Sequence, residues 1–371
     1  MHATWAILLD TYRELSTKKL FWATIILSGL LVLSMAAVGI NEQGLTILHW
    51  QLGSFNGVLT SKLVPPALLY KQIFINLGIG VWLSWGAVIL ALVSTSGLVP
   101  DMIASGAIET TLSKPISRTR LLLSKFAGGL LFGALQVCVF CSAAFLVIGM
   151  RGGSWEPMIF LAVPLVVLVN SYLLCIAFLA GLITRSTITA LIITMLFWFV
   201  VFLANTTDTV LLSQTETARM RVDTMEKRIA RDQERLTTVR PEQVETLKRS
   251  IEERTNRRDE AKSDLAKLEK WSRLPVVIKT VLPKTGETIE LLSRTLRKEL
   301  RTNSDGEDVD LDTETELKGG GMMSMEERRE LTRRIEDRLD GRSVWWVLGT
   351  SVAFVAVVLT ITCVLFRRRD F

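Results

Sequence analysis

Histidine is nearly missing from this chain. His2 and His49 are the only two, and neither stands in a metal-ligand cluster, which leaves a zinc hydrolase almost without support. No Gly-Lys-Ser or Gly-Lys-Thr occurs anywhere, so the phosphate-cradling loop of an ATPase is absent. Cysteine is scarce: Cys138, Cys141, Cys175 and Cys363 all fall in apolar runs and none in the long polar segment, where no structural disulfide is expected. Cys138 and Cys141 have CxxC spacing, but two small polarizable side chains one turn apart in an apolar helix read as packing residues before redox or metal ligands. Asp and Glu are absent from the apolar runs, which counts against a proton relay and so against ion-coupled transport.

What the chain has is apolarity and charge together. Of 371 residues, 49% are hydrophobic and 22% charged, with a mean hydropathy of +0.35, so the two properties are segregated along the sequence. A bilayer core needs about 20 apolar residues in a helix. Six runs qualify: Leu20–Ile40, Ile73–Leu98, Leu121–Met150, Pro157–Ile183, Thr187–Asn205 and Val344–Phe366. The first starts late, is long and lacks a small-residue cleavage site, so it reads as a true span rather than a signal peptide.

The formal charge of +6 does not point to nucleic acid, because the polar segment Thr206–Arg342 holds 29 Lys+Arg against 30 Asp+Glu. The excess gathers at span ends. With the N-terminus inside, Arg13, Lys18, Lys19, Lys114, Arg118, Arg120, Lys125, Arg185, Arg367, Arg368 and Arg369 share one side, and only Lys62, Lys71 and Arg151 occupy the short loops of the other. That bias predicts cytoplasmic termini and an extracytoplasmic Thr206–Arg342.

Residues 1–19 place Trp5, Leu8, Leu9, Tyr12 and Leu15 at helical spacing opposite Asp10, Arg13, Glu14 and Lys18, the pattern of an amphipathic helix in the cytoplasmic interface. Residues 20–205 carry spans one to five. Asn41–Lys71 is an outer loop, rich in Gly and containing Pro65-Pro66, whose internal structure the sequence leaves open. Between spans two and three, Pro100 and Asp101 start a short helix that Pro115 ends, with Met102, Ile103, Ile108 and Leu112 as its apolar side and Ser117 capping the third span. A helix held between two spans is a natural lever, though a plain connecting loop is an equal reading of these residues.

Residues 206–342 begin with heptad-like positions at Val222, Met225, Ile229, Leu236 and Val239, with Asp232 as a polar interruption. The pattern resumes at Val244, Leu247, Ile251, Ala261, Leu265 and Leu268 after Pro241. Two antiparallel helices, Ser213–Thr238 and Glu242–Trp271, zipped as a coiled-coil hairpin are expected; a kinked helix pairing with another subunit is the alternative. An apolar patch Leu274–Leu282, an amphipathic helix Glu287–Leu300, a disordered acidic stretch Asn303–Glu316 and a charged helix Ser324–Asp340 follow. The acidic stretch fails as a calcium loop, because Arg301 falls at its first ligand position. Leu282-Pro-Lys-Thr-Gly286 matches a sortase signal in letters, but nearly sixty polar residues separate it from the last span. Residues 343–371 form span six, with Trp345 and Trp346 at the interface, and a basic tail. Within the spans, Asn76, Gln136, Asn170 and Tyr172 are expected to hydrogen-bond between helices before they would touch a substrate.

The stretch Gly106-Ala-Ile-Glu109-Thr-Thr-Leu112-Ser-Lys114-Pro115-Ile-Ser-Arg118, followed by Lys125, resembles the corresponding segment of ABC-2 family permeases, the transmembrane subunits of ABC transporters. Six spans, an N-terminal interfacial helix and the ending Phe366-Arg-Arg-Arg-Asp-Phe371 extend the resemblance over roughly 235 residues; the long insertion 206–342 departs from it. The resemblance implies that Asp101–Ser113 is a coupling helix docking on a separate ABC ATPase subunit, which would carry the ATP and magnesium, with no cofactor in this chain. Asp101, Gly106, Ile108, Glu109, Leu112, Lys114, Pro115 and Arg118 are then the site residues. Ile108, Glu109 and Leu112 would be docking contacts, and Lys114 and Arg118 would pair with membrane lipid phosphates or the ATPase. It also implies a second permease subunit, identical or not, and export of a substrate across the cytoplasmic membrane. An extracytoplasmic partner held by residues 213–271 is a further expectation, and nucleic acid is not. The fold class expected is an all-α polytopic membrane protein with six transmembrane helices and an extracytoplasmic helical hairpin between spans five and six. A non-transporting scaffold that uses the hairpin to hold an envelope partner, and a secondary transporter, stay open beside it.

Overall fold

The six apolar runs become six helices long and apolar enough to cross a membrane. The computed structural model describes residues 2–41, 44–47, 50–51, 65–104, 117–237, 240–281, 283–288, 291, 330–331, 333–334 and 344–369. Helix α1 (His2–Ser16) turns at Thr17 and Lys18 into α2 (Lys19–Ala37), the first span. The chain then forms three short antiparallel strands, β1 (Val38–Asn41), β2 (Gly44–Ile47) and β3 (Trp50–Gln51), in the order β1-β2-β3. The first span therefore stops at Ala37, three residues short of the apolar run, because Val38 turns extended and pairs with Ile47.

The second span starts earlier than its apolar run, at Pro66, and has three parts: α3 (Pro66–Ile73), a π-helix (Phe74–Gly86) and α4 (Ala87–Thr95), followed by the short α5 (Pro100–Ala104). Gly78 and Gly86 make room in the π-helix for the Phe74 and Trp82 rings one turn before them; a Cβ would stand 3.0 Å and 2.6 Å from those rings. The third span is α6 (Arg118–Gly152), with Ser117 accepting a bond from the Arg120 amide at 3.3 Å as the expected N-cap and Gly153 in left-handed geometry ending it. A 3-10 turn (Pro157–Leu161) leads into α7 (Ala162–Thr184), closed by Arg185 at φ 54°. Helix α8 (Thr187–Arg235) carries the fifth apolar run and α10 (Val344–Arg368) the sixth, with α9 (Pro241–Val281) between them.

The chain divides into two units. The first comprises Met1–Phe199, Lys284–Thr313 and Leu348–Phe371. Its centre is α6, against which α1, α2, α3 and α7 pack. Lipid gives apolar side chains no reason to leave it, so helices associate through close packing. Small residues supply it: a Cβ at Gly129 would stand 3.1 Å from Leu98 and Leu174, and one at Gly128 2.8 Å from Thr11. One buried cluster includes Phe74, Leu83, Phe140, Ile148 and Tyr172, and another Ile7, Leu15, Phe21, Leu122, Phe178 and Phe366. Spans α2, α8 and α10 are much less enclosed, at 28%, 17% and 22% of their apolar windows. Their outward faces, such as Trp22, Ile26, Leu30 and Leu33 on α2, are the surface left for lipid or another protein.

Among the intramembrane polar groups, Asn76 keeps a partner, Gln136 Nε2 is buried without a hydrogen bond, and the buried Tyr172 hydroxyl lies beside Ser351 and Thr288. Residues 284–288, which include Lys284, Thr285 and Gly286 of the sortase-like letters, are packed into this same unit. Lys284, Glu287 and Thr288 are all buried, and the Lys284 amide points at Ser351 Oγ at 3.5 Å.

The second unit comprises Val200–Pro283 and Glu314–Val347. Arg219 pairs with Glu269 at 2.6 Å, Glu226 with Lys262 at 2.6 Å, and Asp232 with Arg254. Residue numbers fall along α9 as they rise along α8, so the two helices run antiparallel. Val222, Ile229 and Asp232 are buried and Met225 half-buried, while Val244, Leu247, Ile251, Ala261, Leu265 and Leu268 are all half-buried. Arg334 binds Asp223 of α8 at 3.0 Å, and hydrogen bonding first to Asp223 and then to Glu330 raises its pKa. The helix expected to end at Trp271 continues through Pro275 to Val281. Its heptad pattern stops before the helix does. Asn303–Glu316 lies outside the described residues, as do most of Glu287–Leu300 and Ser324–Asp340. Because Lys262 and Glu226 are about half exposed, Lys262→Met is expected to cost under about 1 kcal/mol, against about 2 kcal/mol for Arg254→Met, which strands the buried Asp232. Denaturant unfolding followed by helix circular dichroism measures both.

Candidate functional site

The residues singled out in the sequence lie between the second and third spans, and the structure describes the two that bracket them. Asp101 is in the first turn of α5 and Arg118 opens α6; Gly106, Ile108, Glu109, Leu112, Lys114 and Pro115 lie outside the described residues. Asp101 is held by both oxygens: Oδ1 accepts from Thr187 Oγ1 at 2.7 Å and Oδ2 pairs with Lys18 Nζ at 3.4 Å. Pro100 before it is buried, so the expected helix start forms as Pro at the first position and a carboxylate where the helix dipole favours one.

Arg118 belongs to a second set of contacts at the same end of the first unit. Its guanidinium donates to the Arg369 carbonyl, and Arg369 in turn donates to the carbonyls of Leu182 and Ile183, the latter at 3.4 Å. Those carbonyls close α7, where the dipole end attracts a cation. One basic residue of the tail thus ties the sixth span to the end of the fourth and the start of the third.

Lys125 completes this polar end. About two turns into α6 it is only 6% exposed, and its ammonium meets Glu14 at 2.7 Å and Asp10 at 3.6 Å. Helix α1 is thereby fixed on α6, and its faces differ from the expectation. Ile7, Thr11 and Leu15 are the buried stripe, while Trp5, Leu9 and Tyr12 are exposed. Thr11, not an apolar residue, is as fully buried as Leu15, and it lies against Gly128, where a Cβ would stand 2.8 Å from it.

At the other ends of the spans the two described cations of the sparse set also have local partners. Arg151 donates to the carbonyls of Ala36 and Val38 and to the Tyr70 hydroxyl, which itself donates to Val38 at 2.6 Å. Lys71 pairs with Glu156 at 2.5 Å, both side chains being close to nine-tenths buried. No group of three or more metal-ligating side chains occurs among the described residues. Cys138 is exposed and Cys141 buried. Asp101 and Arg118, on either side of residues 105–116, are thus tied to the starts of spans one and five and to the end of span six. No known protein family's sequence pattern matches the chain, and no curated protein matches it.

Proposed function

We propose that the chain is the permease subunit of an ABC-2 type transporter, exporting a substrate across the cytoplasmic membrane with ATP hydrolysed by a separate ATPase subunit. One observation carries most weight: Asp101 and Arg118, at either end of the segment that resembles a coupling helix, both make contacts that reach other spans. A push on residues 102–117 is therefore delivered to several helices at once. Both termini are then cytoplasmic, and the basic residues at this end face the ATPase or lipid phosphates. The less enclosed spans α2, α8 and α10 leave room for a second permease subunit or lipid. The antiparallel pairing of α8 and α9 supports reading 213–271 as a coiled-coil hairpin, placed outside the membrane by the charge bias and able to hold an extracytoplasmic partner.

The test is purification of the full chain from its native membrane, with ATP hydrolysis measured in the isolated material. Wild type is expected to bring down an ATPase, and Glu109→Lys and Leu112→Asp each to reduce the amount bound by about tenfold or more, since a charge reversal or a buried charge at a docking helix costs several kcal/mol. A tightly bound ATPase that both variants retain would sink the docking assignment. No ATPase at all, with an envelope protein retained through 213–271, would favour a scaffold instead.

A further inference from the structure

The four residues before α5 are packed more tightly than a connecting turn requires. Leu98 and Val99 are fully buried, and Pro100 fills a notch at Gly181 of α7, where a Cβ would stand 2.8 Å from its ring. Asp101 follows at once, with Thr187 on one oxygen at 2.7 Å and Lys18 on the other at 3.4 Å. Lys18 also reaches the Ser94 carbonyl, at 3.5 Å. The pair lies close over the backbone at Gly97, where a Cβ would overlap the Asp101 carboxylate and stand 3.2 Å from Lys18 Nζ.

Lys18 is the N-cap of α2, and Thr187 is the first residue of α8. Through one carboxylate, the residue that leads into the 105–116 segment is thus attached to the starts of two spans that are otherwise only 28% and 17% enclosed. Together with α10 they are the least enclosed spans, so they have less packing to resist displacement than the central helices. The two kinds of contact also differ in permanence. Pro100 in its notch is buried packing, whereas the Lys18 and Asp101 side chains are 29% and 49% exposed, and exposed ion pairs are weak and easily remade.

We propose that Asp101 is a positioning residue: it passes displacement of the segment after it to α2 and α8, pivoting on Pro100 against α7. The source of that displacement rests on the permease reading above; the junction itself does not. Asp101 thereby acts within the membrane subunit, and the surface that meets the ATPase is made by other residues.

Hydrogen exchange on the purified full-length chain tests the junction without any ATPase. Asp101→Ala is expected to speed exchange about threefold or more in the first turns of both α2 and α8. Thr187→Val should do so in α8 alone and Lys18→Met in α2 alone, and the exchanged pair Lys18→Glu with Asp101→Lys should restore α2. No change at either helix in Asp101→Ala, or an equal rise along the whole chain, overturns the proposal. A second arm uses the ATPase complex: Asp101→Ala should leave ATPase stoichiometry and the KM for ATP unchanged while turnover falls about fivefold. Loss of the ATPase instead would make Asp101 a docking contact and overturn the positioning role. If wild type brings down no ATPase, the permease reading fails and the exchange measurement alone decides the junction.

Discussion

Replacing Lys71 by methionine is expected to destabilise the first unit by about 3–5 kcal/mol, the range for breaking a buried ion pair from one side. Lys71 and Glu156 are 11% and 8% exposed as side chains and stand 2.5 Å apart, with Ser154 donating to the same carboxylate at 2.7 Å. Removing the ammonium leaves a carboxylate that was taken out of water on the understanding that a cation would face it. The double change Lys71→Met with Glu156→Leu removes both charges and should recover most of the loss, because two apolar side chains of similar volume need no partner. Thermal unfolding in detergent, followed by tryptophan fluorescence, compares the three proteins. Equal losses in the single and double variants would mean that the pair is not the source of the stability.

Lys125→Glu is the second large effect. It sets a new carboxylate, 94% enclosed in the wild-type position, against Glu14 and Asp10, so attraction becomes repulsion at one helix contact. The partners are 33% and 76% exposed, which screens part of the interaction, and a loss of about 2 kcal/mol is expected. The sharper signature is local. Helix α1 should come away from α6, seen as protease cleavage within residues 2–16 under conditions that leave wild type intact. Gly128→Leu, which drives a side chain into Thr11, should release the same helix without touching any charge. If Lys125→Glu leaves α1 protected, the ion pairs are incidental to its docking.

Features set by length and local pattern could be read directly from the residues. A helix must be long and apolar to cross a bilayer, so the six spans stand within a few residues of their runs except where they extend beyond lipid, as α8 and the start of α3 do. Ser117 caps α6 through a bond three residues away, and the heptad positions of α8 and α9 repeat every seven. The features that sequence left hidden depend on distant or structureless signals. Strand β1 begins inside an apolar run that looks helical to its end, and nothing one-dimensional marks where it pairs with β2. The buried face of α1 includes Thr11, which lies against Gly128, more than a hundred positions away. The Asp101 contacts join residues 83 and 86 positions apart, so an acid at a helix start could be recognised while its partners could not. The same holds for Lys284–Thr288, whose polar letters suggest a soluble segment and whose side chains are nevertheless buried beside α7 and α10.

The π-helix of the second span bears on how that span can live in a bilayer at all. In hydrocarbon, an amide released from its carbonyl has no water to turn to, and helices there are held to nearly complete pairing. A π-helix meets this demand with bonds reaching one residue farther than in an α-helix, and it is wider and shorter for the same number of residues. Between Phe74 and Gly86 the chain therefore holds thirteen residues in less length than an α-helix would. Converting part of it to α geometry would extend the span while exchanging one set of bonds for another. Hydrophobic thickness differs by several ångströms among membranes. Were it converted to α geometry, this span would lengthen along its own axis, a response to such a change that differs from tilting.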